Sequence, residues 1–286
     1  MIQTTQIAVR DVSLEVARCG TGEPLLLLHG FTGAAASWAF LQEALADRWH
    51  TVAPSLLGHG GSSAPTDPAR YRMEECVSDL LALLDALGLE RVAVLGYSMG
   101  GRVALHLALA APARVGALVL ESASPGIPDA AERVQRVRAD EALADDVERD
   151  GVAAFVARWE RIPLFASQAA LPEGDRARLR AQRLRSSAVG LANSLRGMGA
   201  GAMMPVVHRL GELQAPTHLI AGALDAKYVA LARAMAAAIP GSSLSIEAGA
   251  GHAVHVERPA AFAALVRAAL AEPAAGGPAA APPRTE

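Results

Sequence analysis

Apolar positions along this chain fall into two recurring patterns, and their alternation predicts its architecture. Short unbroken apolar runs mark strands buried on both faces. The clearest is residues 24–29, a proline followed by four consecutive leucines and a histidine. Residues 51–53, 92–95 and 117–120 have the same character, and 7–9 with 12–17 form a short antiparallel pair turning near Arg10 and Asp11. Between these runs the apolar residues recur at helical spacing. Residues 37–48 open on Ser37 as a candidate N-cap, 73–87 close at Gly88, and 99–111 stop before Pro112. The alternation then lapses. From about 129 to 201 the chain is rich in Arg, Glu and Asp and helical in pattern, with no buried-strand candidate. It resumes with a strand at 217–221, a helix at 229–239, a strand at 244–246 and a helix at 260–270.

Repeating strand–helix units predict an α/β fold, with a mostly parallel sheet flanked by helices on both faces. The interruption reads as a helical lid inserted after the sixth main strand, over the carboxyl ends of the strands. The expected organisation is a core at 1–127, a lid at 128–204, the rest of the core at 205–271, and a tail at 272–286. That tail is rich in Ala, Pro and Gly and lacks large apolar side chains, so it is expected to be disordered and dispensable.

Composition narrows the function classes. The chain has 286 residues, 52% of them hydrophobic, enough for a sizeable core, and its net charge of −3 argues against nucleic acid as a partner. Cys19 and Cys76 stand far apart without metal-ligand spacing and read as reduced thiols. No cofactor or metal is expected. The amino terminus lacks a signal-peptide pattern, and every apolar stretch is broken well before the ~20 residues of a membrane span. A cytoplasmic enzyme, monomeric or a small homo-oligomer, with no membrane partner, is the expectation.

The candidate chemistry begins at Gly96-Tyr97-Ser98-Met99-Gly100, directly after the apolar run at 92–95. Strand, G-x-S-x-G and helix together form a nucleophile elbow, which pushes a serine hydroxyl out at the carboxyl end of a strand. A serine needs a histidine base and a carboxylate to orient that base, and in this fold they follow it in the order acid, then histidine. Asp225, after the strand at 217–221, and His252, after the last strand, fall in that order on loops at the same sheet edge. Asp225 could also cap the following helix. Glu121 is a rival acid and His255 a rival base. His29-Gly30-Phe31 follows the leucine strand, so the backbone N–H groups of Phe31 and Met99 are the candidate oxyanion-hole donors. The glycine loop Leu57-Gly58-His59-Gly60-Gly61-Ser62 is placed at the same edge, as a pocket wall.

Arg102 lies four residues beyond Ser98 and shares its helix face. There it either recognises a carboxylate on the substrate or turns aside to a surface ion pair. Arg136, Trp159 and Arg185 add a cationic and aromatic set in the segment expected to cover the pocket.

With these residues in view, the chain resembles a known family. Glu121-Ser122-Ala123-Ser124-Pro125-Gly126, Trp159 with Ile162-Pro163-Leu164-Phe165-Ala166, residues 190–199, and the Gly-Gly-Arg ending of the elbow at Arg102 resemble the 2-succinyl-6-hydroxy-2,4-cyclohexadiene-1-carboxylate synthases of menaquinone biosynthesis. The similarity runs from about residue 24 to 270. The resemblance implies an α/β-hydrolase fold carrying a lyase. Its polycarboxylate substrate would lose a ring proton to a triad of Ser98, Asp225 and His252 and expel pyruvate. It further implies that Tyr97, Arg102, Arg136, Trp159 and Arg185 contact the substrate. Ser55 stands where the superfamily commonly has Asp, which puts the local hydrogen bonding of that loop in question. A serine carboxylesterase or carbon–carbon bond hydrolase acting on an acidic substrate is the alternative enzyme. A non-catalytic small-molecule receptor of the same fold is the alternative from another class.

Overall fold

The structure is a computed structural model that describes residues 1–271; the tail at 272–286, expected to be disordered and dispensable, lies outside the described residues. Eight strands form one sheet in the order β1-β2-β4-β3-β5-β6-β7-β8. They are β1 (Gln3–Val9), β2 (Val12–Cys19), β3 (Glu23–Leu28), β4 (Trp49–Pro54), β5 (Val92–Tyr97), β6 (Val115–Glu121), β7 (Thr217–Gly222) and β8 (Ser243–Glu247). The β1–β2 and β2–β4 pairs are antiparallel and every other pair is parallel. The helices are α1 (Ala39–Leu45), α2 (Met73–Ala86), α3 (Met99–Ala110), α4 (Ala130–Trp159), α5 (Glu173–Arg183), α6 (Ala188–Met198), α7 (Ala226–Ala238), α8 (Val254–Glu257) and α9 (Pro259–Ala271). None of the described helices is long and apolar enough to cross a membrane.

The leucine run of β3 shows why the sheet lies between two helical layers. Leu25, Leu26, Leu27 and Leu28 are all fully buried, and successive strand side chains point to opposite faces. Leu26 and Leu28 join the core made with Leu83 of α2 and Val103 and Leu107 of α3. Leu25 and Leu27 join the other core, with Leu41 of α1 and Phe262 and Val266 of α9. An amphipathic strand would satisfy only one of these layers.

Several boundaries differ from the sequence expectation, each for a local reason. β1 starts at Gln3 rather than residue 7, because its first residues are exposed and polar and join the sheet through pairing with β2 rather than through an apolar pattern. Ser37 does not cap α1. It lies inside a 3-10 turn (Ala35–Trp38), where its hydroxyl accepts the Ala34 N–H at 3.1 Å, and α1 begins at Ala39. α7 starts three residues early, at Ala226, because Asp225 caps it.

Between β6 and β7 the chain forms α4, a 3-10 segment (Pro163–Ala170), α5 and α6. Arg196 of α6 ties the segment together through Glu141, Asp145 and Glu148 of α4, at 2.7 to 2.9 Å. Helix α4 is broken at Gly151, whose φ of 79° and ψ of 167° are closed to most side chains. The break separates a limb bearing Arg136 from a limb bearing Phe155 and Trp159.

Candidate active site

Ser98 stands alone between β5 and α3 with φ 51° and ψ −106°. A non-glycine residue holds such a conformation only when its surroundings over-determine it. Here its N–H donates to the Glu121 carbonyl oxygen at 2.9 Å. Gly100 lets α3 press onto β3: a Cβ there would lie 2.1 Å from the Leu28 carbonyl oxygen.

The structure brings Ser98, His252 and Asp225 together. His252 Nε2 is 3.0 Å from Ser98 Oγ, and its Nδ1 is 2.8 Å from Asp225 Oδ2. Asp225 serves two partners, since its Oδ1 accepts the Tyr228 N–H at 3.2 Å and caps α7. The rival acid and rival base pair with each other. His255 Nδ1 lies 2.8 Å from the buried Glu121 carboxylate, which also accepts the His255 N–H at 3.0 Å. The His255 ring packs on Tyr97 at 4.5 Å and Trp38 at 4.8 Å, so this second pair buttresses the elbow.

The Gly30–Phe31 turn lies against the nucleophile, because a Cβ on Gly30 would come within 3.5 Å of Ser98 Cβ. Met99 opens α3, where the N–H has no intrahelical acceptor. The Phe31 N–H also makes no backbone hydrogen bond among the described residues. The next residue, Thr32, has φ 68°, unusual for a β-branched side chain. Two buried histidines hold this turn. His29 Nε2 accepts the Leu56 N–H at 2.9 Å, which leaves Nδ1 to donate to the Gly30 carbonyl at 2.8 Å. His59 Nδ1 donates to the Leu57 carbonyl at 2.9 Å.

Burial pushes the pKa of His29 down to about 3 and that of His59 to about 4. Both are therefore neutral when folded, while the unfolded chain takes up protons near pH 6.5. Their contribution to stability is complete above pH 6.5 and is lost as pH falls. The linkage predicts a loss of about 3 kcal/mol between pH 6.5 and 5. Urea unfolding at the two pH values measures it. A flat profile, or an undiminished slope in His59→Gln, would contradict the assignment.

Arg102 does not turn to a surface carboxylate. Its guanidinium donates to the Met198 carbonyl at 2.7 Å and touches Met203 Sδ at 3.3 Å, and it makes no ion pair among the described residues. Burial lowers its pKa to about 10, so it stays cationic at any pH below that. Arg136 is exposed and grips buried Asp140 through both carboxylate oxygens, at 2.8 and 2.9 Å. This pair lies beside the end of α6, where a Cβ on Gly199 would lie 2.6 Å from Asp140 Oδ2, and its charges act on Arg102. Arg185 is engaged differently: it pairs with buried Glu15 at 2.6 Å. Glu15 also accepts from Ser55 Oγ at 3.0 Å, and Ser55 in turn accepts the Ala35 N–H at 2.9 Å. A carboxylate thus serves the Ser55 loop, supplied by β2.

An aromatic wall completes the site. Trp159 packs edge-on against Phe31 at 5.3 Å and Phe165 at 5.7 Å, and Phe165 reaches the His252 ring at 6.1 Å. Trp159 Nε1 is buried without a hydrogen-bond partner among the described residues. Tyr97 is buried beside His252, and desolvation raises its phenol pKa. The sequence reading missed three residues here. Tyr228 lies 4.4 Å from the His252 ring; Glu15 and Arg183 are the others. Tyr228 follows Asp225 by three positions, which was a usable signal. Arg183 is one of four arginines in α5, and only burial sets it apart.

A serine at a strained strand–helix turn, relayed through histidine to a carboxylate at the carboxyl edge of a mostly parallel sheet, defines a class of protein. The α/β hydrolase fold family matches residues 23–259. Within that class the chain belongs to the 2-succinyl-6-hydroxy-2,4-cyclohexadiene-1-carboxylate synthase family. A Bacillus subtilis relative that provisionally bears the name is 45% identical over 92% of this chain and 97% of its own length. A synthase from Klebsiella pneumoniae (strain 342) is 34% identical over 86% and 93%. The structure of MenH from S. aureus superposes with a TM-score of 0.85 at 33% identity, covering 90% of this chain and 97% of that one. A thermophilic esterase from Thermogutta terrifontis, solved with malate bound, gives 0.82 at 29% identity over 94% and 98%.

Proposed function

We propose that this chain is the menaquinone-pathway lyase that eliminates pyruvate from 2-succinyl-5-enolpyruvyl-6-hydroxy-3-cyclohexene-1-carboxylate. The observation that carries the reading is Arg102, a half-buried cation without a carboxylate partner among the described residues, one helical turn from a relayed serine. A site for neutral esters gains nothing from that charge, whereas a polycarboxylate does.

In this mechanism Ser98 Oγ takes a proton from the ring carbon as its own proton passes to His252 Nε2. Asp225 holds the imidazole and stabilises its charged form. The electron pair released from the C–H bond forms a ring double bond, the ring unsaturation shifts, and the bond to the enolpyruvyl oxygen breaks. The leaving enolpyruvate collects a proton and becomes pyruvate. The Phe31 and Met99 N–H groups face the oxyanion that develops during proton removal. Arg102, Arg136, Tyr97 and Trp159 contact the substrate, with Trp159 Nε1 offering an unused donor. Arg185 joins them only by giving up Glu15.

Pyruvate release, followed by a coupled dehydrogenase assay, is the test, and its absence from well-folded protein sinks the reading. Because Ser98 acts as a base toward carbon, no covalent intermediate is expected. Intact-protein mass spectrometry during turnover should show the unmodified mass. Substrate-derived mass on Ser98 would favour a second reading, an esterase for acidic substrates, which the likeness to the malate-bound esterase keeps in view.

A further inference from the structure

The cationic side of the site holds a buried acid. Asp140 is 4% exposed and follows Arg136 by one turn of α4. Two adjacent residues at the end of α6 place it beside Arg102. The Met198 carbonyl accepts from the Arg102 guanidinium at 2.7 Å, and a Cβ on Gly199 would lie 2.6 Å from Asp140 Oδ2. Burial raises the pKa of the Asp140 carboxyl, while the charges of Arg136 and Arg102 pull it down. A carboxylate next to a site for carboxylates repels the ligand, so its presence there calls for a compensating gain.

The gain lies in which nitrogen Asp140 engages. Both of its oxygens accept from Arg136 Nε, at 2.8 and 2.9 Å, and neither terminal nitrogen of Arg136 makes a hydrogen bond among the described residues. Every other ion-paired arginine between β6 and β7 gives a terminal nitrogen to its acid. A guanidinium recognises a carboxylate through paired N–H groups, and in Arg136 the pair on the two terminal nitrogens is left open. Unheld, an exposed arginine is spread over many rotamers and is pushed away from Arg102 by like charge. Asp140 removes both obstacles without using the fork. The charges of Arg136 and Arg102 also act on the Tyr228 phenol, whose ring lies 4.4 Å from that of His252, so this cationic group borders the triad.

We propose that Asp140 is a positioning residue of the active site, which holds Arg136 by Nε so that its terminal fork stands preformed beside Arg102 for a substrate carboxylate. The inference rests on the lyase reading for the identity of that ligand. Asp140 touches no substrate atom in this account and acts through Arg136. Its effect has a sign that a general charge effect lacks. Removing a negative charge beside an anion site tightens anion binding, whereas removing Asp140 weakens it, because Arg136 is released.

The test uses the full chain with Asp140→Leu, which keeps the shape and removes every acceptor, and Asp140→Asn, which keeps one acceptor oxygen for Nε. The probe is 2-succinylbenzoate, a stable aromatic compound with two carboxylates, titrated calorimetrically alongside pyruvate-release kinetics. Asp140→Leu should raise both Kd for the probe and KM for the substrate at least tenfold, with kcat changed less than threefold, and Asn should raise them less. In an Arg136→Ala background the same Leu substitution should lower Kd and KM, since only its repulsion is left to remove. Kd and KM that stay or fall in Asp140→Leu with Arg136 present overturn the inference, as does an equal loss of acidic activity and of p-nitrophenyl acetate cleavage. If the Leu variant fails to fold, exposed Arg136 decides. Arg136→Lys offers a single cationic nitrogen that Asp140 would claim, so its KM should rise as far as in Arg136→Ala; a KM nearer the wild type overturns the inference. Asp140-dependent probe binding without any pyruvate release would overturn the lyase reading alone. Pyruvate release with Kd and KM indifferent to Asp140→Leu would overturn the positioning role alone.

Discussion

Ser98→Ala is expected to lower kcat/KM for pyruvate release by three to four powers of ten, and a following His252→Ala or Asp225→Asn to lower it little further. In the proposed mechanism the three side chains, in contact at 3.0 Å and 2.8 Å, form one proton path, and breaking a path twice costs scarcely more than breaking it once. Losses that multiplied across the double variants would show three independent contributions and contradict the relay. Glu121→Gln is the control. It disturbs the buried pair with His255, so it should cost stability but keep activity within about tenfold of the wild type. If it matched Asp225→Asn in activity, the choice of acid would be wrong.

Arg102→Ala should cut kcat/KM for the acidic substrate by two or more powers of ten, about 3 kcal/mol. Lys should rescue only in part, because an ammonium cannot make the two-pronged contact. The comparison with p-nitrophenyl acetate is essential, since the Arg102 guanidinium also ties α3 to the Met198 carbonyl at the end of α6. Loss of that tether alone would depress neutral and acidic activities together. Loss of substrate recognition would depress only the acidic one, and that is the expected outcome.

The fold was legible where physical chemistry acts locally. Four leucines in a row, bounded by a proline and a His-Gly turn, read as a short strand covered on both faces, and glycine-flanked Ser98 after an apolar run reads as an elbow. β1 was half-hidden because an exposed edge strand needs no apolar pattern. In the candidate site, the acid and base could be narrowed by chain order, but sequence alone could not show that Glu121 and His255 engage each other and so leave the field to Asp225 and His252. Partner choice is a three-dimensional property. For the same reason neither the Met198 partner of Arg102 nor the Glu15 partner of Ser55 and Arg185 was visible. They lie 96, 40 and 170 residues away. Arg183 was unreadable because α5 presents arginines on several faces, and the sequence does not say which one the fold turns inward.

On the proposed function, the break at Gly151 divides the two sides of the cover that would meet the substrate between two independent carriers. Arg136 rides on the first limb of α4 and is fixed by Asp140 four positions on; Trp159 rides on the second and is fixed by the Phe31 and Phe165 rings. An unbroken helix would couple the two, so that rotating one to suit a new ligand would displace the other. With the glycine between them, charge preference and shape preference can drift separately. One scaffold can then pass from one acidic substrate to another through single, tolerated steps rather than a concerted rebuilding of the cover.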